Sequence, residues 1–493
     1  MKRLKCFKFG HLKSIRSATK MKVRDYIVLT INGNVHKISG EQAFMPFSSL
    51  LRYEIGLTGT KVVCAEGDCG ACTILYRRHS ADADKFVSIN SCISTSFLMD
   101  MSHVISVEGL AKQNQLSEVQ DSMIRNFGGQ CGFCTPGFVM ALSSMYENTK
   151  TITEQKVKNY LTGNLCRCTG YQPIINAAMA VDTKKVAPLK SCYNYEKLTK
   201  DLESDQFVPI KITVGEKEFF APTTLAQAAE YKKKHPNVRL FSGATDIGVQ
   251  INKGRNPGAN LMSLHLIPEM YALKHDGDQI VVGARVNLNT LQKFLEGKSP
   301  KFAEFLNIFA SPQIKNAATL VGNLANGSPI ADTTPYLLTA DAIVELFGSS
   351  GTRSVALTDF IKGYKSFDLK DDEFITGIRF KIPNASSSKI GLFKVSQRRD
   401  LDISCVNSSF VFQTQNNKIE KAKIAYGGVG PKALRLFDVE KVLEGQEMTP
   451  ALASKAKQMI ATTITPISDM RGSAEFRSQI CLDLFERFVQ ENF

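Results

Sequence analysis

Apolar and polar positions alternate in "YIVLTING", which ends on Asn32-Gly33, a pair suited to a type I′ hairpin turn, and "VHKI" resumes the alternation as a second strand. "SSLLRYEIG" reads as a short helix and "CTILY" as the strand that follows it. From Ser117 the period lengthens. Ser117 is placed to cap a helix running to Phe127 and stopped by Gly128-Gly129, and Thr135 and Pro136 suit the N-cap and first position of the next, "GFVMALSSMYENT". A third helix, "EQKVKNYLT", stops at Gly163, and a fourth follows Pro173 through "IINAAMAV". The stretch from "DTKKVAPLK" to about Asp205 is charged and lacks a sustained apolar period, as a linker would. Beyond it, "NVRLFSGATDIGVQI" puts β-rich sequence before a loop with Gly243 and Gly248, and "TLVGNLANGSPIAD" supplies a second loop of small residues. With 493 residues, the chain exceeds what one core organises, so three or four domains are expected.

Composition changes this picture little. Apolar residues make up 43% and charged residues 22%, and no run approaches the roughly 18 apolar residues of a membrane span. The net charge of +14 is concentrated at one end, because nine Lys and Arg and no carboxylate precede Asp25. The leader "MKRLKCFKFGHLKSIRSATKMKV" has no apolar signal region, although its Arg and Ser content would also suit organelle targeting. The plainer reading is a disordered extension over 1–21, with Met21 opening the first domain. No aromatic stripe or nucleic-acid motif accompanies the charge, so neither nucleic acid nor membrane is expected as a partner, and the expected location is cytoplasmic.

Twelve cysteines without a secretory signal point to a reducing compartment, where clustered thiols hold metal. Cys6, Cys192, Cys405 and Cys481 are scattered. Cys64, Cys69, Cys72 and Cys92 follow Cys-x4-Cys-x2-Cys with a distant fourth, the plant-type ferredoxin spacing for a 2Fe-2S cluster, whereas structural zinc sites use tighter pairs. Gly67 and Gly70 would let backbone N–H groups approach the cluster's sulfides. In the second set, Cys131 and Cys134 in "GGQCGFCTPG" answer Cys166 and Cys168 in "NLCRC". Each pair lies at a junction between predicted helices, so a four-helix bundle brings the four thiols together. Spacing alone leaves zinc and 2Fe-2S equally open for this set, and a thioredoxin-like role is disfavoured because no strand precedes the motif.

A plant-type set followed by "QCGFCTPGF" and "NLCRCTGY" resembles the molybdenum hydroxylases, specifically the iron-sulfur and flavin part of the xanthine dehydrogenase family, from about residue 22 onward. The resemblance implies an α+β multidomain chain. A plant-type ferredoxin (β-grasp) domain would occupy 22–104, a helical 2Fe-2S domain 105–183, a linker 184–205, a two-part FAD-binding domain 206–384 and a C-terminal CO-dehydrogenase-flavoprotein-like α+β domain 385–493. Both cysteine sets would then hold 2Fe-2S clusters, with Gln130 beside the molybdopterin of a partner. By the same resemblance Leu240, Phe241, Ser242, Gly243, Ala244, Thr245, Asp246 and Ile247 would wrap the FAD diphosphate. Thr319, Gly322 and Asn323 would bind it from the second loop, Asp332 would fix the dinucleotide, Phe309 would lie beside the isoalloxazine, and Ile378 and Lys394 would add flavin contacts. Ala244 and Val321 depart from the family, which usually has a more polar residue and a second glycine there. Arg398-Arg399-Asp400 falls where the family loop approaches the flavin and the acceptor site. No 4Fe-4S cysteine set interrupts the flavin region, which disfavours a related CoA-ester reductase.

The large molybdopterin domain of such an enzyme has no counterpart in this sequence, so no catalytic residue for substrate oxidation is assigned to it. The expected partner is a molybdopterin-binding large subunit, in a heterotetramer of two small and two large subunits. Electrons would pass through both clusters to FAD and then to NAD+ in xanthine or hypoxanthine oxidation, FAD being needed because clusters move one electron and hydride transfer two. Two alternatives are an aldehyde, nicotinate or CO-type hydroxylase with oxygen or quinone as acceptor, and a non-redox module with two structural zincs.

Overall fold

The computed structural model describes residues 22–79, 85–113, 115–384 and 386–493; the leader reading for 1–21 falls outside them. The first unit is a five-stranded sheet of β1 (Tyr26–Ile31), β2 (Asn34–Ser39), β3 (Thr73–Arg78), β4 (Val87–Asn90) and β5 (Ser102–Ile105), in the order β2-β1-β5-β3-β4. β1 and β5 are parallel and the other pairs antiparallel. Asn32 and Gly33 join β1 to β2 with φ of 50° and 82°, the left-handed pair that a type I′ turn needs. The short helix expected at "SSLLRYEIG" is a helical turn at Phe47–Ser49 running into a wider π turn at Leu50–Glu54.

Four helices follow: α1 (Glu118–Arg125), α2 (Thr135–Asn148), α3 (Glu154–Leu161) and α4 (Gln172–Met179). Ser117 and Gln120 form a reciprocal capping box on α1. That helix ends at Arg125 rather than Phe127, because Phe127 turns to φ 54° and Gly128 donates its N–H back to Met123 at 2.8 Å. α2 begins one residue earlier than expected, with Cys134 itself at the N-cap, and buries every residue from Gly137 to Met145. The charged connecting stretch is not irregular: Tyr195–Glu203 is helical and buries Tyr195, Leu198 and Leu202.

The middle of the chain forms two sheets. One has four strands, Ile210–Val214, Lys217–Ala221, Asn260–Ser263 and Arg239–Phe241 in that spatial order, and the other is a five-stranded antiparallel sheet centred on Phe374–Lys381. A last antiparallel sheet, led by Ser388–Val395 and Val406–Gln415, packs against helices Phe437–Leu443, Pro450–Thr463 and Ala474–Asn492. Among the described residues, no helix is long and apolar enough to cross a membrane.

The units are pressed together. Arg24 bridges to Ile210 of the four-stranded sheet, and its guanidinium makes two hydrogen bonds to Asp100, at 2.9 and 3.0 Å, with both residues 2% exposed. Asp100 also meets His265 Nε2 at 3.3 Å. Elsewhere backbone touches backbone through glycine. A Cβ on Gly70 would lie 2.2 Å from the Gly163 carbonyl oxygen, one on Gly137 2.2 Å from that of Gly70, and one on Gly248 2.0 Å from that of Ile93. No other residue permits such approaches.

Candidate functional site: two thiol clusters and a glycine-lined cleft

The first cysteine set sits on the loop between the helical turn and β3, closed by the segment after β4. Gly67 and Gly70 hold φ of 82° and 67° there, so the loop needs glycine at both. The sulfurs meet in a chain, with Cys64 against Cys69 and against Cys92, and Cys92 against Cys72. Contact with Cys69, then with Cys92, pulls the Cys64 thiol down, and the same contact pushes Cys69 up. Backbone N–H groups of Glu66 and Cys69 point at the Cys64 sulfur at 3.4 and 3.5 Å. Cys72 and Cys92 are 2% exposed.

In the second set Cys168 meets Cys131 at 3.6 Å and Cys134 meets Cys166, so each contact pairs one cysteine from the α1–α2 junction with one from the α3–α4 junction. Burial, then the Cys166 contact, pushes the Cys134 thiol up to about 12. Cys131 and Cys168 are exposed. Among the described residues no three His, Cys, Asp or Glu side chains gather as a single ion requires. The thiols of the second set meet in two pairs and those of the first in a chain of four, and either arrangement can supply the four thiolates of a two-iron cluster.

The candidate flavin loops meet behind the first set. Gly243 faces the backbone of Ala317, with a Cβ there 1.9 Å from the carbonyl oxygen, so this glycine is required by the other loop and not by a ligand alone. Ser242 Oγ donates to the Ala284 carbonyl at 2.9 Å and lies 3.1 Å from Thr319 Oγ1. Thr319 caps helix Leu320–Ala325 by accepting from Gly322 N at 2.9 Å. Ala244 takes φ 57°, beside Thr245, and Asp246 opens helix Ile247–Asn252 and accepts from Gln250. Behind the first loop is a cavity of about 440 Å³ whose lining includes Ser242, Gly243, Arg285, Asn287 and Lys293, a basic and hydrogen-bonding wall that fits the charge of a dinucleotide.

On the far side, Lys394 Nζ reaches Asp332 Oδ2 at 2.7 Å and the Phe309 carbonyl at 3.4 Å, while Ser404 and Asn407 both donate to Asp332 Oδ1. Asn323 accepts from Thr333 at 2.6 Å. Phe309 is half-buried against the core. Two expected contacts are core side chains instead. Phe241 is 1% exposed and edge-on to Phe97, and Ile378 is wholly buried between Val282 and Val344. Their side chains serve packing, which leaves only backbone for a ligand; Leu240 is part-buried beside them. Arg398, with Asp402 beside it at 2.5 Å, lies near enough to the first cysteine loop for its charge to act on Asp68.

The sequence did not single out Asn252 or Gln313. Asn252, at the end of the helix that begins after Asp246, donates to the Ala65 and Cys92 carbonyls, each at 2.8 Å, so the flavin-side loop is bonded directly to the first cysteine set. No local pattern marks a contact across 160 residues of chain.

Three family models match in succession: a [2Fe-2S] binding domain over 106–179, the FAD binding domain in molybdopterin dehydrogenase over 213–385, and the CO dehydrogenase flavoprotein C-terminal domain over 391–492. These are the iron-sulfur and flavin domains of the molybdenum hydroxylase family. Among relatives of the chain, xanthine dehydrogenase 1 of Arabidopsis thaliana is 30% identical over 94% of the chain, and the xanthine dehydrogenase/oxidase of Gallus gallus is 27% identical over 94%. The chain spans 39% and 40% of their respective lengths. Among solved structures, reconstituted CO dehydrogenase from Oligotropha carboxidovorans aligns with TM-score 0.52 and 26% identity, covering 55% of this chain and 95% of that one. Quinoline 2-oxidoreductase from Pseudomonas putida 86, at 23% identity and TM-score 0.51, shares the fold over 55% of this chain and 94% of its own. The chain thus carries a 2Fe-2S-binding domain followed by an FAD-binding domain.

Proposed function

We propose that this chain is the electron-transfer portion of a xanthine dehydrogenase, taking electrons from a molybdopterin-binding partner subunit and delivering them to NAD+. When bound, the two 2Fe-2S clusters would supply one-electron carriers and FAD the exchange between one- and two-electron chemistry. One observation carries the reading: the thiol pairs form an outside-to-inside order. In the second set Cys131 and Cys168 are exposed and Cys134 and Cys166 half-buried, and Phe133, Leu165 and Tyr171, close to these cysteines along the chain, are 37–48% exposed. Apolar side chains of that kind around a site mark a docking face for a partner. The first set lies inside, bonded through Asn252 to the helix of the first flavin loop.

On this reading Cys64, Cys69, Cys72 and Cys92, in a β-grasp ferredoxin domain, hold the inner cluster, and Cys131, Cys134, Cys166 and Cys168, in a four-helix domain, the outer one. Leu240 to Ile247, Thr319, Gly322, Asn323, Asp332, Phe309, the Ile378 backbone and Lys394 receive FAD. The assembly is a cytoplasmic heterotetramer of two small and two large subunits. The relatives named xanthine dehydrogenase favour the purine branch. The resemblance to CO dehydrogenase keeps a CO-type enzyme with an oxygen or quinone acceptor as the second reading.

The test is purification with the bound partner, iron, flavin and zinc analysis, and turnover with xanthine and NAD+. About four irons and one flavin per chain, with NADH formed from xanthine, are expected. Cys131→Ser and Cys168→Ser should each remove one cluster's spectral signal while flavin stays. A zinc-bound, colourless protein would end the reading, and xanthine turnover by the isolated chain would overturn the division of labour.

A further inference from the structure

Three loops meet between the two cysteine sets, and two amide side chains tie them. Gln313, on helix Pro312–Ala317 of the flavin-side unit, is wholly buried and donates Nε2 to Asn164 Oδ1 at 2.7 Å, with a longer contact to Thr73 Oγ1 at 3.4 Å. Asn164, 2% exposed, donates Nδ2 to the Gly70 carbonyl at 3.1 Å. Beside it, the Leu165 backbone N–H donates to the Cys69 carbonyl at 2.9 Å. Every one of these anchors adjoins a cysteine. Gly70 follows Cys69, Thr73 follows Cys72, and Leu165 precedes Cys166.

The amide orientations follow from the partners, because Asn164 must accept from Gln313 and donate to a carbonyl, and only one flip does both. Gln313 Oε1 is left buried without a hydrogen-bond partner, a cost retained at this position. Glycine at 163 makes room for it, since a Cβ there would lie 2.3 Å from that oxygen.

We propose that the Asn164–Gln313 pair positions the link between the two cysteine sites, holding the Leu165 N–H on the Cys69 carbonyl so that the Cys166 and Cys69 ligands are joined by backbone and a single hydrogen bond. This rests on the reading that both sites hold 2Fe-2S clusters. Electron tunnelling falls off far more steeply across a gap than along bonds, so the bond keeps the route continuous. In the step itself one electron leaves the outer site, which is oxidised, and enters the inner site, which is reduced; no bond is made or broken. Gln313 comes from the flavin-side unit, so docking of that unit tightens a contact between two sites it does not itself contain. Both amides are positioning residues.

The experiment uses the full chain with iron and flavin bound, reduced by a flash-generated one-electron donor and followed by freeze-quench EPR of both sites. Gln313→Leu and Asn164→Asp should each slow equilibration between the sites severalfold, because the Leu165 N–H is no longer held on the Cys69 carbonyl. Iron content, flavin content and each site's own line shape and potential should be unchanged. Gly163→Ala, which keeps both amides but pushes on Gln313, should slow it less, and the exposed Asn159→Leu not at all. Unchanged rates in both amide variants would overturn the proposal, and so would slowing that comes only with loss of iron, which marks a purely structural role. A wild-type chain without iron would instead show that the cluster reading had failed, before any variant is compared.

Discussion

A methyl group on Gly243 would sit 1.9 Å from the carbonyl oxygen of Ala317 and 2.5 Å from its carbon, with no flexible side chain to give way. Gly243→Val should therefore spread the two candidate flavin loops, at a cost of about 1–3 kcal/mol, and lower the flavin released per chain on denaturation. The first cysteine set should feel it too, because Gly248 on the same segment packs on Ile93, next to Cys92. A shifted inner-site EPR signal beside an unaltered outer one is expected; full flavin content would refute the argument. At this scale the grouping of the cysteines was readable, since the thiols that the spacing put into two sets do meet as two sets. Why each glycine is a glycine was not. The partners of Gly70, Gly163 and Gly243 come from other parts of the chain, and no local pattern names them.

Helix Tyr195–Glu203 joins two cores. Leu202 is wholly buried with the strands of the first sheet, while Tyr195 and Leu198 pack with the helical unit. Leu202→Ala should cost about 2–5 kcal/mol, read as a lower urea midpoint with the spectra of both cysteine sites retained. A midpoint within error of wild type would mean that the helix is a mere tether. Its signal lay in "YNYEKLTKDLE", where Tyr195, Leu198 and Leu202 recur at helical spacing on one face. Lysines and acids between them made the stretch look like a linker. The reverse holds for α1, whose start was legible because Ser117 and Gln120 satisfy its first N–H groups locally.

Across the whole molecule, Arg24, one of the nine basic residues ahead of Asp25, is a buried anchor between two sheets. Its partner Asp100 lies 76 residues away, a separation that hides the pair from any sequence window. Arg24→Ala strands a buried carboxylate and should cost about 3–5 kcal/mol, measured by thermal unfolding. Burial holds His265 below its ordinary value despite Asp100, and burial pushes His103 down to about 3. Burial would raise Asp100, but the hydrogen bonds from His265 and Arg24 keep it below the usual carboxylate range. The unfolded chain takes up these histidine protons near pH 6.5 and the folded chain resists them, so their contribution is full above about 6.5 and lost as pH falls toward about 3. Asp100 adds loss of the same sign below about 3.9. The melting temperature should fall between pH 7 and 5, and His103→Gln should flatten that fall. The lid over the inner thiols has a consequence for biogenesis. Ile93 packs with Cys72 and Cys92, and Val249 and Ile314 of the flavin-side unit close over them, whereas Cys131 and Cys168 face solvent. Iron and sulfide offered to the finished, metal-free fold should restore the outer EPR signal promptly and the inner one only after partial denaturation. Equal recovery of both would refute it. On the proposed reading, an inner centre would then have to be assembled while the chain is still open, ahead of flavin-domain closure, and a cell short of iron at that moment would make a protein that later iron does not repair.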